Sequence, residues 1–203
     1  STPGFSPPWA GDSQGPLVAP GIYSARLYAI AEGEAFPMAD AQTFNVKPVR
    51  ESANGVDYAE VARYQRETAD LMLKVSHAGE ELGRSRDLLR HMKAAALAAP
   101  GAEASLFVRL DDAGTALSKL GTRLSGDRVR GGLNVNASPS IGGRAYNAAN
   151  TWHTTHAATA TQRSNFAIAK NDMATFMTDL EAVLSDLASL QEELSAAGAP
   201  SWR

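Results

Sequence analysis

Residues 106–124 read LFVRLDDAGTALSKLGTRL, and their spacing decides the fold. Leu106, Leu110, Ala113, Leu117, Leu120 and Leu124 recur at strict 4-3-4-3-4 intervals. A helix turns once in about 3.6 residues, so all six fall on one narrow stripe. Such a stripe is a coiled-coil seam rather than a broad globular face, and it requires facing helices.

The chain offers those helices on both sides. Upstream, Asp57-x-x-Glu60 is an acidic variant of the capping box and opens a long helix. Val61, Thr68, Leu71, Val75, Ala78, Leu82, Leu89, Met92 and Ala96 follow at mixed three, four and seven spacing, and Pro100-Gly101 stops it. Seven acids and seven bases between Asp57 and Ala98 fill its other faces. Downstream, Thr159-x-x-Gln162 is a second capping box. It opens a helix carrying Phe166, Ala169, Met173, Phe176, Leu180, Val183, Leu187, Leu190 and Leu194 in unbroken three-four register, closed by Gly198 and Pro200. Between them, SGDRVRGGLNVNA (125–137) reads as a Gly/Asn-rich loop. Ser138-Pro139 reads as the start of a shorter helix with Ile141, Ala145, Ala148 and Trp152 on one face. Helices are therefore expected over about 57–98, 103–124, 139–154 and 160–197, forming an antiparallel bundle or bent coiled coil.

The first 50 residues differ in kind. Residues 1–20 form a Pro/Gly-rich arm, extended or irregular, whose Phe5 and Trp9 need a surface to cover them. From Gly21 to Ala31 the chain alternates, with Tyr23, Ala25, Leu27 and Ala29 on one face and Ile22, Ser24, Arg26, Tyr28 and Ile30 on the other. Glu32-Gly33-Glu34 is a turn, and Gln42–Val46 alternates again with Phe44 and Val46 inward. The pair predicts an antiparallel hairpin with a loose loop around Phe36-Pro37. Two or three strands barely bury a core, so this sheet needs helices or another chain to cover it. The expected fold is α+β. An arm (1–20) and a small incomplete antiparallel β-sandwich piece of immunoglobulin or fibronectin III type (21–50) precede a long-helix bundle (51–203).

Composition narrows the function. Apolar content is 44%, charged content 20% and net charge −3, so no global basic field recruits nucleic acid. There is no cysteine, which removes disulfides, thiolate metal sites and a cysteine nucleophile. No run of about 18 apolar residues spans a membrane. The chain starts at Ser1 without a basic-then-apolar leader, which reads as leader removal, a cut in a longer precursor, or a trimmed start. His153 and His156 stand at i and i+3, but no Glu, Asp or Cys lies near enough in sequence to complete a zinc set. His77 and His91 are about 21 Å apart by helical rise. Glu80-Glu81, Asp111-Asp112 and Glu192-Glu193 diverge by about 100° on a helix, which suits solvated faces rather than acid/base dyads. There is no GxSxG elbow and no phosphate loop. No catalytic residue, cofactor or metal is expected.

The segments GPLVAPGIYSARLYA (15–29), with its PGxYxxxL pattern, and TATQRSNFAIAKNDMATFMTDLEAVLSDLASLQEELSAAGAPSW (159–202) resemble the C-terminal region of bacterial BNR-repeat proteins. These are large sortilin-like β-propeller proteins that often carry the name glycosyl hydrolase. The resemblance implies an exported bacterial protein, periplasmic or extracellular. The propeller is absent here, so no catalytic residue of such a protein has a position to map onto.

Two functions follow as expectations. The first is a non-enzymatic scaffolding subunit on the extracytoplasmic face of a larger assembly, with respiratory and photosynthetic membrane complexes as candidate hosts. Its contacts to other protein subunits would be Phe5, Trp9, Tyr23, Leu27, Tyr28 and Phe44. The second is a catalytically silent C-terminal stalk or dimerisation fragment of a propeller hydrolase. A basic run, Lys119, Arg123, Arg128, Arg130 and Arg144, is the candidate contact to lipid headgroups or an acidic partner.

Overall fold

The computed structural model describes residues 16–48, 55–133, 135, 138–151 and 154–200. The chain is α+β: a small antiparallel β part precedes a long helical region. Strands β1 (Gly21–Ala25), β2 (Tyr28–Ala31), β3 (Glu34–Pro37) and β4 (Gln42–Val46) are followed by helices α1 (Tyr58–Ala98), α2 (Ala104–Ser125), α3 (Arg128–Gly132), α4 (Ile141–Ala149) and α5 (Ala160–Ala196). Two compact units form: residues 1–67 with 151–158, and residues 68–150 with 159–203.

In the helical unit the α2 seam is buried at all six expected positions. It meets the α5 stripe, where Ala169, Met173, Phe176, Leu180, Leu187, Leu190 and Leu194 are buried and Phe166 and Val183 pack at its margin. α1 adds Leu71, Ala78, Leu82, Leu89, Met92 and Ala96 to the same core. α2 runs antiparallel to α1, for Lys93 Nζ reaches Asp111 Oδ1 at 2.5 Å and Arg86 Nη2 donates to the Leu117 carbonyl at 3.2 Å. α5 runs parallel to α1, with Gly101 N donating to Ala197 O at 3.0 Å where their ends meet.

The caps follow sequence chemistry. Asp57 Oδ1 accepts from Ala59 N and Glu60 N, satisfying two donors at the start of α1. Thr159 and Gln162 form the reciprocal capping box. Gly198, at φ 75°, takes the left-handed conformation that lets Ala199 N reach back to Leu194 O at 3.0 Å.

Several expectations are corrected. Phe36-Pro37 is not a loop but the end of β3; in a two-stranded ribbon an edge proline loses no ladder bond it needs. The turn expected at Glu32-Gly33-Glu34 does form, at Glu32-Gly33, whose φ values of 51° and 85° give the primed geometry matched to strand twist, while Glu34 already belongs to β3. The alternating run 21–31 breaks at Arg26-Leu27. The 125–137 loop contains α3, nucleated by Asp127, whose Oδ1 accepts from Val129 N and Arg130 N. Helix α4 starts at Ile141, not at Ser138-Pro139, because Ser140 Oγ accepts from Gly143 N at 3.1 Å. It also stops at Ala149, short of residue 154. Asn150 and Thr151 are poor helix formers, and the Asn150 carbonyl takes a bond from Gln162 Nε2 instead. Among the described residues no helix is long and apolar enough to cross a membrane.

Candidate docking surface

The hairpin is one ribbon in two ladders. β1 pairs with β4 from Gly21↔Val46 to Ala25↔Gln42, and β2 pairs with β3 from Tyr28↔Pro37 to Ala31↔Glu34. Between them Arg26-Leu27 oppose residues 38–41, a bulge that kinks the ribbon. Polar contacts hold the kink: Met38 N donates to Leu27 O at 2.9 Å and Arg26 Nε to Ala39 O at 3.1 Å. The Arg26 guanidinium lies 5.7 Å from the Tyr28 ring centre. Tyr23 faces Phe44 across β1 and β4, their rings stacked with centroids 6.1 Å apart, and Tyr23 Oη donates to Ala19 O at 2.7 Å.

Despite that stacking, apolar surface is left in the open, and Phe44, expected to face inward, is itself exposed. Ile22 is 80% exposed, Ile30 79% and Leu27 66%; Tyr28, Phe36, Met38 and Phe44 are also exposed. Cross-strand partners share a face, so Ile30 with Tyr28 occupy one side of β2 and Phe36 the other. The ribbon therefore buries neither face.

The two edges differ in chemistry. Each sheet has two strands, so each strand has an edge to which no other strand pairs among the described residues. The β3–β4 edge carries Glu34, Pro37 and, just beyond, Lys47. Charge and proline are the devices that discourage strand addition. The strands of the β1–β2 edge, GIYSA and YAIA, carry neither, although Arg26 stands at the bulge between them and Pro20 and Glu32 flank them.

The ribbon is anchored by a residue the sequence reading did not single out. Gln65 is fully buried in α1. Its Oε1 accepts from Leu17 N at 2.8 Å, and its Nε2 donates to Thr151 O at 3.0 Å and Thr154 O at 3.1 Å. One side chain thus ties the lead-in to β1, the first turns of α1 and the 151–154 segment together. The nearby Thr151 Oγ1 is buried without a hydrogen-bond partner among the described residues.

The other sequence candidates are dispersed. Arg123 pairs with Asp179 and lies over the Phe176 ring, Arg130 lies 3.9 Å from Asp127 Oδ2, and Arg144 Nη1 donates to Asn165 Oδ1 at 2.8 Å. Lys119 is exposed. Of Arg128 only the backbone, at the start of α3, is described. Phe5, Trp9, Trp152 and His153 lie outside the described residues. His156 stands in an irregular segment, and His77 and His91 are exposed on α1. Among the described residues no three His, Asp or Glu side chains are placed to hold a metal ion. Of the carboxylate pairs, Glu81 binds Arg84 at 2.5 Å, Asp111 binds Lys93, and Glu193 joins Asp186 in clasping Arg109. The Glu193 and Asp186 carboxylates hold the Arg109 guanidinium above its usual value.

No family model, curated protein or solved structure matches the chain.

Proposed function

We propose that this chain is a non-enzymatic docking subunit whose hairpin adds, along its β1–β2 edge, to the sheet of another protein. The observation that carries the reading is the open apolar ribbon, with one edge whose strands hold neither charge nor proline. Unpaired strand N–H and C=O groups give such docking its affinity, and alternate side chains give it specificity. Covering Ile22, Leu27 and Ile30 removes apolar surface worth about 25 cal/mol per Å². A protein partner is favoured over a lipid surface. The hairpin turn carries Glu32 and Glu34, and Arg123, Arg130 and Arg144 already face oxygen partners within the chain. The resemblance of residues 15–29 and 159–202 adds an extracytoplasmic setting on a larger assembly, with Phe5 and Trp9 as further anchors.

The test is site-specific photo-crosslinking in the native host. A photoreactive residue at Ile22 or Ile30 should give one dominant protein adduct, and the same residue at exposed Leu97 on α1 should not. Equal adducts from all three positions, or none from the hairpin, would reject the reading.

A further inference from the structure

A second surface is built on the helical unit. Between the parallel helices α1 and α5 lies a groove of about 840 Å³. It continues past Leu88 and Ala188, and among the described residues only those two helices line it. Two rows of its side chains keep coiled-coil spacing. On α5 the row is Lys170, Ala174, Met177, Glu181, Leu184 and Ala188, at 4-3-4-3-4 intervals. On α1 it is Leu71, Lys74, Ala78, Glu81, Ser85 and Leu88, at 3-4-3-4-3 intervals. Each α5 member stands one residue after a position of the core stripe, so this second seam is turned by about 100° from the first.

The rows are graded in size and charge. Ala78 and Ala174 both lie 23 residues before the Gly101–Ala197 junction, at one level, and leave a hole between the larger Leu71 and Met177. Lys74 and Lys170 both lie 27 residues before it, one helical turn nearer the N-terminal end of the groove. Neither lysine has an ion-pair partner among the described residues. Lys170 Nζ stands 5.7 Å from the Phe166 ring centre, a contact that restrains the ammonium without neutralising it. Toward the other end Glu181 is likewise without an ion-pair partner among the described residues, whereas Glu81 is taken by Arg84.

We propose that this groove seats an amphipathic helix of another polypeptide, antiparallel to α1 and α5. Heptad rows on two neighbouring helices form the holes that receive the knobs of a further helix. An acyl chain would leave Glu81, Ser85 and Glu181, which recur in the rows, with nothing to meet. Direction follows from charge. An antiparallel helix brings its negative C-terminal pole to the two lysines and its positive N-terminal half toward Glu181, whereas a parallel helix would set its positive pole on the lysines. In that direction it completes a four-helix bundle with antiparallel neighbours throughout, since α2 already opposes α1 and α5. The rows run about 26 Å, so the helix has about 18 residues, with a large apolar side chain over Ala78 and Ala174. This chain does not supply it. The longest stretch outside the described residues, 1–15, holds Pro3, Pro7 and Pro8, which rule out a helix of that length. A second copy has no long helix free, for each already buries its apolar stripe in its own core. The proposal does not depend on what the hairpin binds.

Two measurements test it. In the first, the purified full chain is titrated into either of two dilute, labelled peptides of about 21 residues, read by fluorescence anisotropy. Each has three heptads with leucine at a and d. One carries lysines in its first heptad and glutamates in its last, and the other carries them in reverse. The first should bind about tenfold or more tightly than the second. Lys74→Glu combined with Lys170→Glu should invert that preference. Ala174→Trp fills the hole from an exposed position and should weaken the first peptide about tenfold or more, with circular dichroism melts confirming that each variant is folded. In the second, a photoreactive residue at Ala174 in the native host should capture a segment with apolar residues at i, i+3, i+4 and i+7, and the same residue at exposed Ser189 should not. Peptides that fail to bind, or that bind without regard to their direction or to Ala174→Trp, overturn the proposal. So does an Ala174 adduct to lipid, to a second copy of this chain or to a segment without that spacing, and so does the absence of any adduct.

Discussion

Replacing Gln65 by leucine removes three hydrogen bonds to backbone groups at once. The losses are unequal. Thr151 O keeps the bond from Thr154 N at 3.0 Å, whereas Leu17 N and Thr154 O lose the partner that Gln65 provides. Stranding a polar group costs about 1–3 kcal/mol, toward the lower value where water has access, and the part-buried settings of Leu17 N and Thr154 O put both there. With a smaller share for Thr151 the loss is about 3 kcal/mol, and the apolar leucine recovers about 1 kcal/mol by its own burial. The net expectation is a destabilisation of about 2 kcal/mol in urea unfolding, with accelerated exchange of the Leu17 amide. Gln65→Glu sharpens the test. Its carboxylate still accepts from Leu17 N but sets an oxygen against the carbonyls of Thr151 and Thr154. The protonated acid is therefore the form the folded site favours, and the folded pKa lies above the unfolded one. Stability from this group is present below the unfolded pKa and lost as pH rises through the folded value. The Glu variant should accordingly be weaker than the Leu variant at pH 7, with the difference narrowing toward pH 4. Wild-type stability in Gln65→Glu at pH 7, or an unchanged Leu17 exchange rate, would refute the anchoring role.

Three further perturbations probe the packing. A Cβ on Gly142 would sit 2.9 Å from the Leu124 carbonyl oxygen, whereas one on Gly83 meets nothing within 4 Å; Gly142→Ala should lower stability by about 1–3 kcal/mol while Gly83→Ala raises it by about 1 kcal/mol, both read by thermal melts. Asp179, Asp186 and Glu193 stand seven apart on α5; Arg123 answers the first from α2 and Arg109 the other two, while Ala116 holds the register opposite Asp186; Ala116→Arg gives Asp186 a cation of its own and should add about 0.5 kcal/mol, and that gain should vanish in 1 M salt. Thr151→Val removes the buried hydroxyl that finds no partner among the described residues and should stabilise the chain by about 1 kcal/mol in the same melts.

The helical unit was legible because its seams are periodic: all six α2 positions and the α5 stripe lie where three-four spacing puts them. The capping box at Thr159 was equally visible, being a local signal. Misread elements lacked periodicity or had two competing readings. Ser138 and Ser140 both suit a cap, and only the reach of Ser140 Oγ to Gly143 N decides between them. Strand alternation continues through Arg26-Leu27 in sequence, while the bulge arises from unequal residue counts on the facing segments. Gln65 was invisible because a single glutamine in a helix gives no pattern, and its partners lie 48 to 89 residues away. The acidic heptad on α5 was there to be read, but its arginine partners become apparent only once α2 is placed antiparallel to α5.

Hydrogen exchange across residues 21–31, measured on the isolated chain and on the same chain in its native assembly, tests the docking role most directly. If an added strand completes this ribbon, amides of β1 and β2 on the outer edge should exchange freely in isolation and slow by about tenfold or more in the assembly. Equal protection of those amides in both states would contradict it.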